Sequence, residues 1–507
     1  MVFVLIRFFL FFCFVYFSYG CAFVEANSCS TNLGLSDVVN STSVWGCPNE
    51  KKLCVGDSCL ALLGLSQSEK YPWDFEEGEE LSGGKSMTSF VTDARAFLQF
   101  GKNAPLTTIS DFTVGQAVFE VPWTPGFSAG LPDRDGLGPF FHTNSCLGCH
   151  VGNGRAVEDD GDPLVFTLVR LGVGTKGNDP EPVYGTQFQP NAVAGVTPEG
   201  DVHLEYDTIT GTYLDGSTYS LRKPTIVFSN LGYGPLDSNH KTSVRLTQQV
   251  IGLGLLEAIP EETIVSRSDP LDLNGDGISG RPNYIWDLAG SGKSLGRFGW
   301  KANAPTLIRQ NSAAFSGDIG IKSPMFSQEN CSVTQTTCSS AVSGGNPEVT
   351  EEKMTAITKY MQLVAVPVRR NANTTAILTG KKHFFMAGCN KCHTEKMVTA
   401  SNTSNPLLSN QTIRPYTDLL LHDMGEDLSD GKADGEANER EWRTAPLWGI
   451  GLLGTVNGKS RFLHDGRAKT LDEAILWHGG EAEKSKKYFL TLNVSDRASM
   501  IRFLLSL

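Results

Sequence analysis

Apolar residues fall into short blocks along the chain, and the spacing within each block predicts its structure. "TTISDFTVGQAVFEVPW", from Thr107, sets Phe112 and Phe119 two helical turns apart and predicts a helix. "TTAILTGKKHFF", from Thr374, repeats the pattern with Ile377, Phe384 and Phe385. Between them "DVHLEYDTITGTYLDGSTYSLRKPTIVF" (Asp201–Phe228) strings β-branched and aromatic residues between T-G and D-G turns, which predicts hairpins. "RLTQQVIGLGLLEAIPEETI", from Arg245, reads as helix, and "MTAITKYMQLVAVP" as a helix stopped by Pro367. The final block, "SDRASMIRFLLSL", predicts a helix capped by Ser495 that buries Met500, Ile501, Leu504 and Leu505. The polar stretch Glu329–Glu348 reads as a boundary loop.

The first two helices lead into the same five-residue core, Cys146–His150 and Cys389–His393. In Cys-x-x-Cys-His the two thiols can bond to the haem vinyl groups while the next imidazole ligates the iron. Half a zinc site, a redox dithiol, or one four-thiolate zinc site from both pairs are the alternatives. None of them requires a histidine after each pair. The repeat predicts two haem domains in tandem. The chain is accordingly divided into a signal peptide (1–26), a Cys-containing region (27–105), an N-terminal haem domain with an insertion (106–350) and a C-terminal haem domain (351–507).

Composition adds limits. With 507 residues, 40% hydrophobic and 19% charged, the chain is globular and long enough for several domains. A net charge of -12 argues against nucleic acid as a partner; it suits a basic redox protein or simple solubility. The apolar N-terminus, with Arg7 and a run ending at Gly20, predicts export to the periplasmic or extracellular side. A membrane is reached only if that segment is retained or Cys21 is lipidated. Cys21, Cys29, Cys47, Cys54, Cys59, Cys331 and Cys338 remain for disulfides in an oxidising compartment, with Cys331–Cys338 the simplest pair. In "DLNGDGISGRPN", Asp272, Asn274 and Asp276 alternate as in a calcium loop, but Asn283 stands where such a loop has Glu. A plain Asp/Gly turn is the other reading.

Several longer stretches carry a resemblance. They are "YTDLLLHDMGEDLSDG", "EWRTAPLWGIG" and "RFLHDGRAKTLDEAILWHGGEA" near the C-terminus, and "GLGPFFHTNSCLGCHVGNGR", "IGLGLLEAIPE", "NGDGISGRPNY" and "GRFGWKANAPTL" before them. From Asp111 to Leu507 the chain resembles the di-haem c-type oxidoreductases often called thiol oxidoreductases. That family is related to bacterial di-haem cytochrome c peroxidase and to MauG. The resemblance implies a mainly α fold: two cytochrome c-like haem domains in tandem, a β-hairpin-containing insertion in the first, and two covalently bound haem c groups. It further implies an enzyme in which a C-terminal electron-relay haem feeds a peroxidase-like N-terminal haem. The partners expected are a small redox protein and a small-molecule oxidant such as peroxide. A non-catalytic di-haem electron-transfer protein is the alternative.

The resemblance also proposes roles. In the related peroxidases a Trp lies between the haems and a Gln follows ten residues later beside the N-terminal haem. Trp300 and Gln310 have that spacing. Asp318 and Glu257 are the acidic candidates for moving a proton. The removable histidine of those peroxidases has no near counterpart, leaving the remote His203 and His240. For the C-terminal iron, opposite His393, the eligible side chains are His422, Met424, His464 and His478. His478 is expected, because the relatives' axial methionine comes fourteen residues after the histidine matched by His464.

Overall fold

A computed structural model describes residues 70–102, 104–126, 133–286, 288 and 290–507. The expected signal peptide and Cys21, Cys29, Cys47, Cys54 and Cys59 lie outside them. The chain divides into one unit ending at Asp74 and another from Phe75 to Leu507. Of the first, the described residues carry a stack of Tyr71 on Trp73, with ring centroids 5.0 Å apart.

In the second unit both predicted lead-in helices form, at Leu106–Glu120 and Thr375–Met386. Each crosses another helix at a glycine. Leu106–Glu120 packs on Glu351–Leu363, where a Cβ on Gly115 would stand 2.1 Å from the Ala356 oxygen. Thr375–Met386 packs on Val494–Ser506, where a Cβ on Gly380 would stand 2.0 Å from the Ser499 oxygen. Glu351–Leu363 thus serves the first motif's helix, although the sequence placed it with the C-terminal part. One continuous apolar core holds Phe119, Tyr360, Phe384 and Phe503 together.

The hairpin is as long as its pattern suggested. Asp201–Thr212 pairs antiparallel with Thr218–Ser229 along its whole length. Its tip reaches the C-terminal helices, where Arg497 grips Asp215 at 2.7 Å. At its base, strand Leu168–Gly172 lies between Lys241–Arg245 and Gln187–Phe188. Cys331 and Cys338 form the expected disulfide, with Cα atoms 5.9 Å apart.

The mainly α expectation is overturned. About 30% of the structure is helical and 18% is strand, with helices separated by several small sheets rather than gathered into tandem cytochrome domains. The physical reason is interruption: the chain carries 53 Gly and 24 Pro. The segment from Arg245, expected as one helix, shows how. Gly252 turns at φ +63° before a short helix Leu253–Glu257, and Pro260 separates that from Glu261–Val265. The last helix starts earlier than expected, because Asn493, not Ser495, caps it by accepting the Asp496 N–H at 3.0 Å. Met500 and Leu504 are buried there, and Leu505 is exposed. Among the described residues no helix is long and apolar enough to cross a membrane.

Candidate functional site

Cys146–Cys149 is one helical turn, capped by Ser145, whose Oγ accepts the Gly148 N–H at 3.2 Å. His150 closes the turn, its ring 5.8 Å from that of Phe119 on the lead-in helix. Cys146, Cys149 and His150 line a cavity of about 310 Å³. Both thiols are free. Burial, reinforced by the Asp318 carboxylate, pushes both up, Cys146 to about 12. Burial lowers His150 to about 4, so its ring is neutral at pH 7.

Trp300, Gln310 and Asp318 line the same cavity. Thr306 caps the helix Leu307–Ala314, which carries Gln310 in its first turn. That helix then widens into a π-turn, Phe315–Ile319, which presents Asp318. Asp318 accepts Gln187 Nε2 at 3.0 Å, and its backbone oxygen takes the His142 and Thr143 N–H groups just ahead of the first motif. Burial raises its carboxyl above the usual carboxylate range, against the lesser pull of Arg170 and Gln187. Glu257 is elsewhere. Its oxygens accept the Leu307 N–H at 2.8 Å and Gln362 Nε2 at 2.6 Å, so it anchors a helix start instead of facing the cavity.

The second turn, Cys389–Lys391, is entered through Gly388 at φ +80°. Cys389, Cys392 and His393 line a cavity of about 190 Å³ together with His422, Met424, His464 and His478. Hydrogen bonding sets His422 apart from the others. His422 is engaged at both nitrogens, by Asp418 at 2.8 Å and Glu481 at 2.7 Å. Burial opposes its charge, but Asp418 and the Cys392 sulfur hold it well above the usual histidine range. His464 stacks on Trp442 at 3.7 Å, binds the Val244 oxygen through Nδ1, and has Nε2 buried without a hydrogen-bond partner, 3.9 Å from Asp465.

His478 and His393 are alike. His478 Nδ1 donates to the Ala474 oxygen at 2.7 Å, and His393 Nδ1 to the Tyr416 oxygen at 3.0 Å. Each bond leaves Nε2 with its lone pair, the arrangement a metal-ligating imidazole needs, and His464, bonded to a carbonyl through Nδ1, shares it. Burial lowers both, His393 to about 4, and His478 is among the groups acting on His393. Trp300 also lines this second cavity. Its indole is 9% exposed and donates to the Leu246 oxygen at 2.7 Å.

Over residues 187–507 the sequence matches the model of the family described as "di-haem oxidoreductase, putative peroxidase". The chain belongs to this family. No curated protein matches it. The matched span holds the second motif, Trp300, Gln310, Asp318 and His478; the first motif precedes it.

A di-haem oxidoreductase needs two haem sites, and the described residues fit them: two separate cavities, each with two free thiols and a neutral imidazole. The four-thiolate zinc reading fails on the same fact, and no group of three His, Cys, Asp or Glu side chains able to hold a metal occurs among the described residues. In the calcium-like loop, Asp272 accepts the Gly277 N–H and Asp276 pairs with Lys391 at 3.0 Å, a bond that ties the loop to the second motif. His203, 3.7 Å from Glu205, and His240, bonded to the Asp237 oxygen, do not line the first cavity. Sequence reasoning missed Arg155 and Arg443, which line both cavities, and Met361, the first cavity's one thioether. Arg155 and Arg443 stand within the stretches that carry the resemblance, but nothing local gives either a role, because distant segments assemble their surroundings; no motif marks Met361.

Proposed function

We propose that the protein is an exported, peroxidase-like oxidoreductase carrying haem c bonded through Cys146 and Cys149 in the first cavity and through Cys389 and Cys392 in the second. His150 would ligate the first iron, and His393 with His478 the second. The observation that carries this reading is Trp300: one indole lines both cavities, while Gln310 and Asp318 line only the first. The histidines support the same asymmetry, since His150 is alone in the first cavity and the second has four.

Bound haem supplies one-electron iron chemistry at both sites and a coordination position for a small oxidant at the first. The chain's own groups do the rest. Asp318 takes a proton from a peroxide oxygen in the first cavity and returns it to the departing oxygen. Gln310 holds that oxygen through its amide N–H. Trp300 shortens the electron path between the cavities. Each peroxide consumes two electrons, drawn from a small redox protein, and two protons, and leaves as two waters. The apolar N-terminus and the Cys331–Cys338 disulfide support an exported location.

The test uses full-length protein made with haem-attachment machinery. Denatured chain should retain two haem masses, and reduced protein with a reduced donor should consume peroxide. Asp318→Asn should keep both haems and lose turnover by about 100-fold, the lower end of acid–base contributions. Chain without covalent haem, or an Asp318→Asn variant at full turnover, defeats the reading. Slow, unselective reoxidation by peroxide would leave an electron carrier instead.

A further inference from the structure

The wall shared by the two cavities contains Arg155 and Arg443, 6% and 4% exposed. Every acceptor they use is neutral. Arg155 donates through Nε and Nη2 to Gln249 Oε1 at 3.2 and 2.6 Å, and through Nη1 to the Arg461 oxygen at 2.9 Å. Arg443 donates to the Gly299 oxygen at 2.8 Å, Gln248 Oε1 at 3.1 Å and the Thr444 oxygen at 3.3 Å. The neighbouring glutamines Gln248 and Gln249 thus take one arginine each.

Two other buried cations are treated differently. Arg245, on the wall of the first cavity, has Asp434 at 3.4 Å, and Lys301 beyond it has Asp430 at 3.1 Å. Burial lowers Arg155 and Arg443 to about 10, which still leaves both cationic at pH 7. Buried charges are normally paired, because an uncompensated one forfeits its hydration. The one carboxylate acting on either of them, Asp418 on Arg443, is itself bonded to His422 at 2.8 Å. Two adjacent cations with no carboxylate hydrogen-bonded to them imply a further anion inside the cavities. A guanidinium fork matches a carboxylate in shape and hydrogen bonding.

We propose that Arg155 and Arg443 form a carboxylate-binding bridge in the shared wall, holding the propionate groups of the cofactor in the two cavities. The inference rests on the haem reading above and adds a consequence. Each arginine faces both cavities, so its charge acts on both redox sites. They are positioning residues that set potentials.

Spectroelectrochemical titration of the holoprotein tests this. Removing the cation favours the oxidised iron and leaves a carboxylate unpaired, and both effects lower the potential. Arg155→Gln and Arg443→Gln should each shift the reduction equilibrium at both sites by about tenfold, or about 59 mV downward. The lysine variants should recover most of that shift. Arg370→Gln is the control: Arg370 also donates to a carbonyl, at Leu505, and lies outside both cavities. It should move neither potential. The two Gln variants are independent, so a folding failure in one leaves the other to decide. Unmoved potentials in a variant that retains two covalent haems overturn the bridge. Wild-type potentials that follow added acetate, in place of staying fixed, would assign the site to a free carboxylate and overturn the propionate assignment. Absence of haem from the wild type would instead defeat the functional reading itself.

Discussion

Asp318 and Glu199 are buried carboxyls pushed up by the same cause, loss of water around the charged form. Glu199 accepts the Gln189 N–H and Gln335 Nε2, both at 2.5 Å, and even so burial carries it to about 8. The sign of the consequence is fixed. An unfolded Glu titrates near about 4.3, so the folded chain binds the extra proton between that value and about 8. Stability therefore falls as pH rises through this window, by at most about 1.36 kcal/mol per pH unit. Glu199→Gln should flatten that fall, measured by denaturant unfolding across the window; parallel curves for variant and wild type would clear Glu199 as its source. No sequence signal announced this residue. Cys146–His150 and Cys389–His393 were legible because their chemistry is local to five residues. Glu257 was misplaced, since its carboxylate is claimed by Leu307 and Gln362 from elsewhere in the chain.

At the scale of elements, periodicity located the lead-in helices and the long hairpin, because each is decided by its own side chains. Their partners were not legible. Nothing in "MTAITKYMQLVAVP" says that it packs beside Leu106–Glu120, and the glycines at the two crossings matter only through the opposing helix. Gly380 shows the balance. An alanine there would favour the helix by about 0.8–1 kcal/mol in isolation. In the folded chain its Cβ would meet the Ser499 oxygen at 2.0 Å and Phe503 Cβ at 2.7 Å. Relieving such overpacking costs typically about 1–3 kcal/mol, and here the obstruction is mostly backbone. Gly380→Ala is therefore expected to lower the melting temperature while Cys389 and Cys392 stay competent for haem. A variant as stable as the wild type would mean the helices can separate freely. Gly254, inside the short helix Leu253–Glu257, is held to glycine in the same way: a Cβ there would stand 2.3 Å from the Gln362 oxygen.

At the scale of the molecule, the mainly α expectation failed in part because some strands pair residues far apart in sequence, such as Thr88 with Val366 and Phe140 with Ala192. A one-dimensional pattern does not contain such pairings. The spacing of Trp300 and Gln310 was legible, yet only the fold puts Trp300 against both cavities. That position is the one the proposed electron-path role requires. Trp300→Phe keeps an aromatic ring but loses the indole and its 2.7 Å bond to the Leu246 oxygen, a structural cost of about 1 kcal/mol. Trp442→Phe is a matched control. Trp442 also donates through Nε1 to a backbone oxygen, Leu428 at 2.9 Å, but lines the second cavity alone. With both haems retained, Trp300→Phe should slow electron transfer between the sites by about tenfold, equivalent to about 1.36 kcal/mol of barrier. Trp442→Phe should lose similar stability without that slowing. Flash reduction followed at the two haem spectra reads the rate directly. Equal rates in both variants and the wild type would reduce Trp300 to a core residue that happens to separate two cavities.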